Sequence, residues 1–361
     1  MLEIPKRLSL PSQVAAAIRK GIEEKLWEKH LPGERRLSDM LQVSRPTVRA
    51  ALHLLEKEGL IQIQPGKRNR VPTKRVRQRA GTSKRLLGLI LPEPLSDVSP
   101  WTYQHISEMR ARLAESGIAT EVVVCQPQGG RLWVRKLETF LRENHVFCPV
   151  LISAGVEVQQ WFAKLSLPTL VLGSCHPSVR LPSFDLDQQS VSRHAANVFI
   201  AKGHRRLALV VPDSGAAGDV ASEEGFSAAA EASRHAGVNA VVVRHDGTAR
   251  SVAAKLDNLF NSDHAPTALF VAKPQHVFIV LMYLLTRGIS VPDHVSLIAR
   301  DQDHTFESVS PAIAHYTFDV HTYVRRLSRL MLQMVNQRYL PPSRSLIFPR
   351  FFAGGTVKDL G

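Results

Sequence analysis

At 361 residues the chain is longer than a single hydrophobic core usually becomes, so the sequence predicts more than one domain. No apolar run approaches the length of a membrane span and Met1–Leu10 lacks an apolar signal segment, which disfavours membrane insertion and secretion. The formal net charge of +14 is concentrated at one end: residues 1–85 carry 20 Lys and Arg against 8 Asp and Glu, whereas the remainder is nearly neutral. Such an uneven charge is typical of a nucleic-acid-binding head joined to a separate module.

The first predicted helix begins at Pro11-Ser12 and is finished by the turn at 31–33. Its inward side chains recur at helical spacing; they are Val14, Ile18, Ile22 and Leu26. A short second helix over 37–41 and a turn over 42–44 follow. The first helix is therefore expected to pack on the next two and to complete a three-helix core.

The third predicted helix runs from Ser44, a suitable N-cap, towards a stop at Gly59. One face is apolar, and Arg45, Arg49 and His53 share another face because they are spaced four residues apart. A short helix with arginines near its N-terminus suits the DNA major groove. A solvated amphipathic helix is the alternative that these residues alone leave open.

A cationic hairpin is predicted after the third helix. Residues 60–64 alternate apolar and polar side chains, Pro65-Gly66 turns the chain, and 67–71 returns with three cations in four positions. Helix, turn, helix and hairpin together describe a winged helix-turn-helix.

At this point the chain resembles the GntR family of bacterial transcription regulators over about residues 10–72. The resemblance is carried by Pro32-Gly33-Glu34-Arg35, by the stretch 43–49 and by Glu58-Gly59-Leu60-Ile61 with Gly66-Lys67. It implies DNA contacts from Arg35, Ser44, Arg45, Thr47, Arg49, Gly66, Lys67 and Arg68. The family usually has several more residues between the Pro-Gly and the Glu-Arg, so the loop and small strand usual there are left open.

Residues 73–85 are predicted to be a basic linker between a head over 1–72 and a body over 86–361. Nine Lys and Arg and no acidic residue occur from Lys67 to Arg85, and such a polar run cannot bury a core. The run either contacts phosphates or serves only as a solvated tether.

The body is predicted to be an α/β structure with two similar lobes. Apolar runs that suit strands buried on both faces alternate with helical patterns. The predicted strands are 86–92, 120–125, 149–153, 168–173, 207–212, 240–244, 267–271 and 295–299. The predicted helices lie near 101–116, 131–144, 156–165, 188–202, 220–236, 250–261, 275–288 and 320–337.

This body resembles the LacI-type sensor domain, a relative of the periplasmic sugar-binding proteins. The resemblance is carried by Asp187, by 201–209, by Gly225-Phe226 and by 287–298. It implies a fold of two α/β lobes with a ligand between them at the carboxyl ends of the strands. The implied lobes are about 86–183 with 313–345, and about 184–312 with 346–361, with crossings near Phe184, Ala312 and Leu346.

The resemblance also assigns effector contacts, several of them at changed positions. Ser222 stands where the family usually has Arg, Lys273-Pro274 replaces Asn-Asp, and Arg300-Asp301 replaces Phe-Asp. The predicted effector-binding residues are Trp101, Tyr103, Ser153, Asp187, Ser222, Lys273, Gln275, Arg300 and Asp301. The added cations predict an effector with an anionic group, unless Lys273 and Arg300 face solvent or pair with Asp301 and Asp303. Ordinary packing is the alternative for Trp101 and Tyr103.

Catalytic and cofactor chemistry is not predicted. Cys125, Cys148 and Cys175 lie singly in apolar runs, as reduced core thiols of a cytosolic protein do, and the 15 histidines lack metal-ligand spacing. Motifs for zinc proteases, P-loops and nucleophile elbows are missing, so an enzyme is disfavoured and neither metal nor cofactor is expected.

The sequence as a whole predicts a cytoplasmic, homodimeric DNA-binding transcription regulator, with repression the family-weighted direction. Its partners are a double-stranded DNA operator and a small sugar or sugar derivative. A ligand-independent regulator with a degenerate pocket is the alternative that the changed positions leave open.

Overall fold

Two units make up the chain, Met1–Ser83 and Lys84–Gly361. The structure, a computed structural model, describes residues 10–23, 26–27, 30–57, 60–63, 69–71, 86–98, 100–127, 132–235 and 237–361. The predicted linker over 73–85 lies outside the described residues, and so do Gly59 and three of the predicted DNA contacts, Gly66, Lys67 and Arg68.

Three helices form the core of the first unit: α1 (Leu10–Glu23), α2 (Glu34–Leu41) and α3 (Arg45–Lys57). The predicted apolar stripe of α3 is fully buried against α1 and α2. Ser44 caps α3 weakly, since its hydroxyl accepts the Thr47 amide at 3.4 Å and lies 2.7 Å from the Thr47 hydroxyl. Between α2 and α3 the backbone of Gln42 adopts a left-handed conformation, which makes the tight turn.

The wing is a small antiparallel arrangement around Arg70. Gln62 and Arg70 exchange both backbone hydrogen bonds, at 2.9 and 3.0 Å, and His30 bridges to Arg70 from the other side. The Leu31 amide donates to the Asn69 carbonyl oxygen at 2.8 Å. Helix α2 begins at Glu34, directly after Pro32-Gly33, so the loop and small strand that the sequence left open are not formed between them, and His30 contributes only an isolated bridge.

In chain order the second unit contains the following elements, by their bounds: β1 (Leu86–Leu91), α4 (Pro100–Glu115), β2 (Ala119–Val124), α5 (Leu132–Glu143), β3 (Cys148–Ile152), α6 (Val156–Ala163), β4 (Leu170–Leu172), β5 (Ser183–Leu186), α7 (Gln188–Ala201), β6 (Arg206–Pro212), α8 (Ala217–Glu231), β7 (Asn239–His245), α9 (Ala249–Phe260), β8 (Ala268–Val271), α10 (Pro274–Thr286), β9 (Ser296–Ala299), β10 (Ala314–Thr317), α11 (Val320–Gln337), β11 (Arg344–Ile347) and β12 (Arg350–Phe352).

These strands form two six-stranded sheets, one in each lobe. The first has the order β11-β5-β4-β3-β1-β2 and is entirely parallel, whereas the second has the order β12-β10-β9-β8-β6-β7 with only β12 antiparallel. Strands β1, β3, β4, β6, β8 and β9 are almost completely buried, which explains their continuous apolar sequences. The predicted two-lobed α/β fold is confirmed.

The chain crosses between the lobes three times, each time a few residues later than expected. Phe184 still belongs to the first sheet, where β5 pairs with β11, and Leu346 lies opposite Asp185 in the same pair of strands. Ala314 pairs with Ile298 of the second sheet, so the crossing near Ala312 is also too early. The crossings follow Leu186, Thr317 and Ile347, because each of these short strands completes its pairing before the chain leaves the sheet.

Helices α7 and α8 approach each other closely at Gly225. A Cβ atom at this position would come within 2.1 Å of the Gln189 carbonyl oxygen, so only glycine fits. This contact holds the middle of α8, the helix that carries Asp219 nearer its N-terminal end, against α7.

Candidate functional site

The first unit presents basic side chains on α2 and α3. Arg35 on α2 is exposed, and the side chains of Arg45 and Arg49 on α3 are 61% and 58% exposed. Ser44 and Thr47 lie at the N-terminal end of the same helix. Five of the eight predicted DNA contacts are thus placed on two neighbouring helices; the remaining three, Gly66, Lys67 and Arg68, lie outside the described residues.

Arg49 is held by a partner that the sequence analysis did not assign. Its guanidinium donates to both carboxylate oxygens of Glu34, at 3.2 and 2.9 Å, while Arg45 reaches the same carboxylate at 3.9 Å. The hydrogen bond from Arg49 is the main cause that lowers the pKa of Glu34 below its usual range. Arg49 therefore links α3 to α2, and Arg45 is the arginine of α3 with the more open guanidinium.

A cleft of about 800 Å³ lies between the two lobes of the second unit. Its walls come from the loops and helix starts at the carboxyl ends of strands in both sheets, such as Ser153 after β3, Lys273 after β8 and Asp301 after β9. Backbone groups and polar side chains converge at such edges because parallel strands end there together.

The structure brings five of the nine predicted effector residues into this cleft: Ser153, Lys273, Gln275, Arg300 and Asp301. Ser222 is fully buried beneath it, where its hydroxyl donates to the Gly218 carbonyl oxygen at 2.9 Å. Asp187 caps α7 by accepting the Ser190 amide at 3.0 Å and is not part of the cleft lining.

Neither of the two predicted aromatic contacts, Trp101 and Tyr103, is among the described residues that line the cleft. Tyr103 is 53% exposed and lines a separate shallow groove with Glu108 and His321. Trp101 belongs to α4, and its side chain lies outside the described part of the chain. The aromatic side chains that do line the cleft include Phe278, Phe318 and Tyr323, which the sequence analysis did not select.

Arg300 is the centre of a buried ionic network. Its Nη1 donates to Asp219 at 2.8 Å and to the Ser222 hydroxyl at 2.9 Å, and its Nε and Nη2 donate to the two carboxylate oxygens of Asp301 at 3.2 and 3.3 Å. Lys273 adds a longer contact to Asp219 at 3.8 Å. The Ser222 hydroxyl on α8, at the position where the resembled family usually has an arginine, accepts a hydrogen bond from Arg300, which directly follows β9.

The pKa shifts follow from this geometry. Burial alone would raise the pKa of Asp219, but attraction to Arg300 and Lys273 outweighs it and holds the pKa below its usual range. Burial would lower the pKa of Arg300, yet Asp301 and Asp219 raise it above its ordinary value. Asp219 and Arg300 are therefore both ionised at neutral pH and compensate each other's charge.

This network removes the main argument for an anionic effector and matches part of the alternative, in which Arg300 pairs with Asp301. The expectation required Lys273 and Arg300 to be cations in need of a partner, but Arg300 already has two carboxylate partners. The described lining contains six carboxylates, from Glu93, Asp97, Asp185, Asp219, Asp301 and Asp303, against the two cations. His105 adds no charge, because burial lowers its pKa to about 4.

Two polar residues of the lining were missed by the sequence analysis. Asp185, on β5, accepts hydrogen bonds from the Ser174 hydroxyl and, at 2.8 Å, from the Leu186 amide. Burial raises the pKa of Asp185 to about 6. Gln302 is only 6% exposed, and its side-chain oxygen accepts from the Thr317 hydroxyl and, at 3.1 Å, from the Phe318 amide.

In the part of the chain that the structure describes, no group of three His, Cys, Asp or Glu side chains is arranged to hold a metal ion. None of the described helices combines the length and apolar character needed to cross a membrane.

Two family models match the chain in separate regions. Residues 10–71 match the bacterial regulatory proteins of the gntR family, and residues 196–357 match a periplasmic binding protein-like domain. The chain thus combines a gntR-type helix-turn-helix head with a periplasmic binding protein-like body.

Individual proteins are similar to most or nearly all of the chain. The arabinose metabolism transcriptional repressor of Geobacillus stearothermophilus is 22% identical over 99% of both chains. The transcriptional regulator CelR, solved in complex with cellobiose, has a TM-score of 0.64 with 19% identity over 97% of this chain and 100% of its own. A LacI-family transcriptional regulator from Enterococcus faecium, solved with bound ribose, has a TM-score of 0.62 with 16% identity over 77% of this chain and 100% of its own.

Proposed function

We propose that this chain, which joins a gntR-type head to a periplasmic binding protein-like body, is a transcription regulator that binds a double-stranded DNA operator under the control of a small carbohydrate effector. The observation that carries the proposal is a cleft of ligand size between the two lobes of a chain whose head presents arginines on a helix-turn-helix. Repression is the direction supported by the arabinose repressor, which matches over nearly its whole length.

In the proposed DNA complex, α3 enters the major groove with its N-terminal end towards the bases. Arg45 reaches base edges or phosphates, and the hydroxyls of Ser44 and Thr47 contact the backbone. Arg49 remains paired with Glu34, so its contribution is to hold α3 at a fixed angle to α2. Arg35 contributes a further cation from the exposed surface of α2.

In the body, the effector lies in the interlobe cleft and changes the relative positions of the lobes. The fold crosses between lobes three times, so a ligand that contacts both sheets biases their closure. The chain is proposed to act as a cytoplasmic homodimer, in which closure alters the spacing of two heads on a pseudo-palindromic operator. The matches to regulators along the chain favour this role over an enzymatic one.

The test uses the full-length chain and a fluorescent fragment of the DNA upstream of its own gene, at one fixed salt concentration. Anisotropy titrations with and without arabinose, ribose or cellobiose measure the affinity for this fragment and for a scrambled control. Specific binding to the upstream fragment that one of these sugars changes by about 5–150-fold supports the proposal. Equal affinity for both fragments contradicts a sequence-specific regulator.

The alternative of a ligand-independent regulator with a degenerate pocket is less well supported by this cleft. A decayed site is expected to fill with apolar side chains or to collapse, whereas this one retains a cavity of about 800 Å³ and an Arg300 that donates four hydrogen bonds. Thermal-shift screening of the same preparation separates the two hypotheses, since a degenerate pocket gives no ligand-dependent stabilisation.

A further inference from the structure

We infer that the effector is an amino sugar, with its ammonium group facing Asp185 and a ring or hydroxyl oxygen accepting a hydrogen bond from the Gln302 amide. This inference rests on the proposed function, because it takes the interlobe cleft as the effector site. It replaces the expectation of an anionic effector with the opposite charge.

The charge balance of the cleft gives the first argument. Arg300, Lys273, Asp219 and Asp301 compensate one another, so this group of four is neutral overall. The four other described carboxylates of the lining then leave the cleft negative, and a ligand anion is repelled. A ligand cation is attracted, and it does not have to displace Arg300 from its partners.

Within the cleft, the Asp185 carboxylate is the group that a ligand cation would contact. Its two hydrogen bonds, from Ser174 and Leu186, leave lone pairs on the carboxylate, and it forms no direct ion pair with any described residue. The attraction of Arg300 and the repulsion of Asp301 act on it in opposite directions, and burial is the dominant influence. A hydroxyl can donate a hydrogen bond to this carboxylate, but only an ammonium group also supplies the missing opposite charge.

Gln302 provides an independent observation that a ligand belongs here. Its side-chain oxygen accepts from Thr317 and Phe318, so the orientation of the amide is fixed by two donors. The Nε2 group is buried and has no hydrogen-bond partner among the residues that the structure describes. A buried donor of this kind is costly unless an acceptor reaches it, and an oxygen of a bound sugar can do so.

Gln302 would also connect the ligand to the end of β10, where the chain crosses to the other lobe. Thr317 is the last residue of β10, and Phe318 is the first residue of the second crossing into the other lobe. A ligand that orders the Gln302 amide therefore acts directly on one of the three connections between the lobes.

The experiment uses matched sugars on the full-length chain at about pH 7.5. Glucosamine, galactosamine and mannosamine are each compared with the parent hexose, the N-acetyl derivative and the uronic acid, by thermal shift and then by calorimetry. At least one amine is expected to raise the Tm and to bind about tenfold or more tightly than its parent and its N-acetyl derivative. The uronic acids are expected to bind most weakly.

Asp185→Asn is expected to remove the advantage of the amine over its parent hexose. Asp303→Asn removes a carboxylate from the same lining, but Asp303 already accepts from the Thr305 amide and hydroxyl at the surface, so this control is expected to keep the advantage. If Asp185→Asn does not fold, the affinities of the wild type for each amine and for its N-acetyl derivative still test whether the ammonium group is recognised.

The inference is overturned if a neutral or acidic sugar binds as tightly as its amine, or if no amine in the panel raises the Tm. Retention of the upstream DNA fragment by the same preparation shows in either case whether the proposed regulatory function survives. Failure of the DNA binding itself would contradict the proposed function instead.

Discussion

Replacement of Arg300 by Met is expected to destabilise the second lobe by about 3–5 kcal/mol, because it leaves two carboxylates without their shared cation. The Arg300 side chain is 2% exposed, so water cannot substitute for it, and Met fills much of the same volume without the charge. Asp219 is almost as deeply buried and loses the stronger of its two cations.

The cost of this substitution is expected to depend on pH. In the wild type the pKa of Asp219 is lowered, so its stabilising contribution is present above the pKa of the unfolded chain and is lost as the pH falls through the lower folded pKa. In Arg300→Met the cation that outweighs burial is gone, so burial raises the pKa of Asp219. Protonation of Asp219 at lower pH then removes the unpaired buried charge that destabilises the variant. The difference between the two proteins is therefore largest near about pH 7.5 and shrinks towards about pH 4.

Native-state hydrogen exchange of peptides from β8 and β9 measures this loss within the lobe concerned, which a single unfolding curve of a multidomain chain does not. Lys273→Met is the matched control: its side chain is 35% exposed and lies 3.8 Å from Asp219, so a loss below about 1 kcal/mol is expected. Equal losses in the two variants, or a loss for Arg300→Met that does not change with pH, would refute the buried network as a stabilising feature.

Three further substitutions test other parts of the account. Arg45→Ala is expected to weaken operator binding by about 1–3 kcal/mol if Arg45 reaches a guanine, whereas Arg36→Ala, which removes the same charge from the exposed surface of α2, is expected to have a smaller effect in anisotropy titrations. Asp185→Asn is expected to stabilise the ligand-free protein at about pH 7.5 by up to about 3 kcal/mol. The folded pKa of Asp185, about 6, lies above the unfolded value, so the ionised carboxylate costs stability as the pH rises from the unfolded pKa through the folded pKa. Thermal unfolding should therefore show a gain at about pH 7.5 that vanishes near about pH 4. Neutralising the four cations at 74, 75, 77 and 79 is expected to reduce the slope of log affinity against log salt by up to about 0.9 per lost phosphate contact, and an unaltered slope would show that the segment is only a tether.

The regular parts of the fold could be predicted because buried strands and helices leave a simple pattern of apolar residues in the sequence. All eight predicted strands are present. Six of them are almost completely buried, and strands with two buried faces require continuous apolar residues. The other two, β2 and β7, are half-exposed edge strands that are recognisable by their runs of valine. Strands β5, β10, β11 and β12 were not predicted as strands. They are three or four residues long, and β11 and β12 include exposed positions, so their sequences carry no such pattern.

The cleft was harder to predict because its chemistry depends on contacts that are distant in sequence. Arg300 pairs with Asp219 across a separation of 81 residues, and no local spacing reveals that partner. Pairing of Arg300 with Asp301 was part of the alternative left open by the sequence, and the structure contains this pair. Asp185 was missed because it lies on β5, a strand without a sequence signal.

In the head, too, the sequence predicts the helices but not the contacts between them. Its helices largely follow from apolar spacing, and the shared face of Arg45 and Arg49 follows from the helical repeat. The exception is Leu26, which was predicted as an inward residue of the first helix but lies beyond the end of α1 and is 66% exposed. The bidentate bond from Arg49 to Glu34 joins two helices and depends on their packing angle, which the sequence pattern does not specify.

Footprinting of the full-length chain on the DNA upstream of its own gene tests the central claim most directly. A dimer with two helix-turn-helix heads is expected to protect two half-sites related by a dyad, separated by about one helical turn or a multiple of it. Arg45→Ala should lose this protection at a salt concentration where the wild type retains it. Uniform protection without half-sites, or an identical footprint from Arg45→Ala, would contradict the assignment of α3 as the element that recognises the operator.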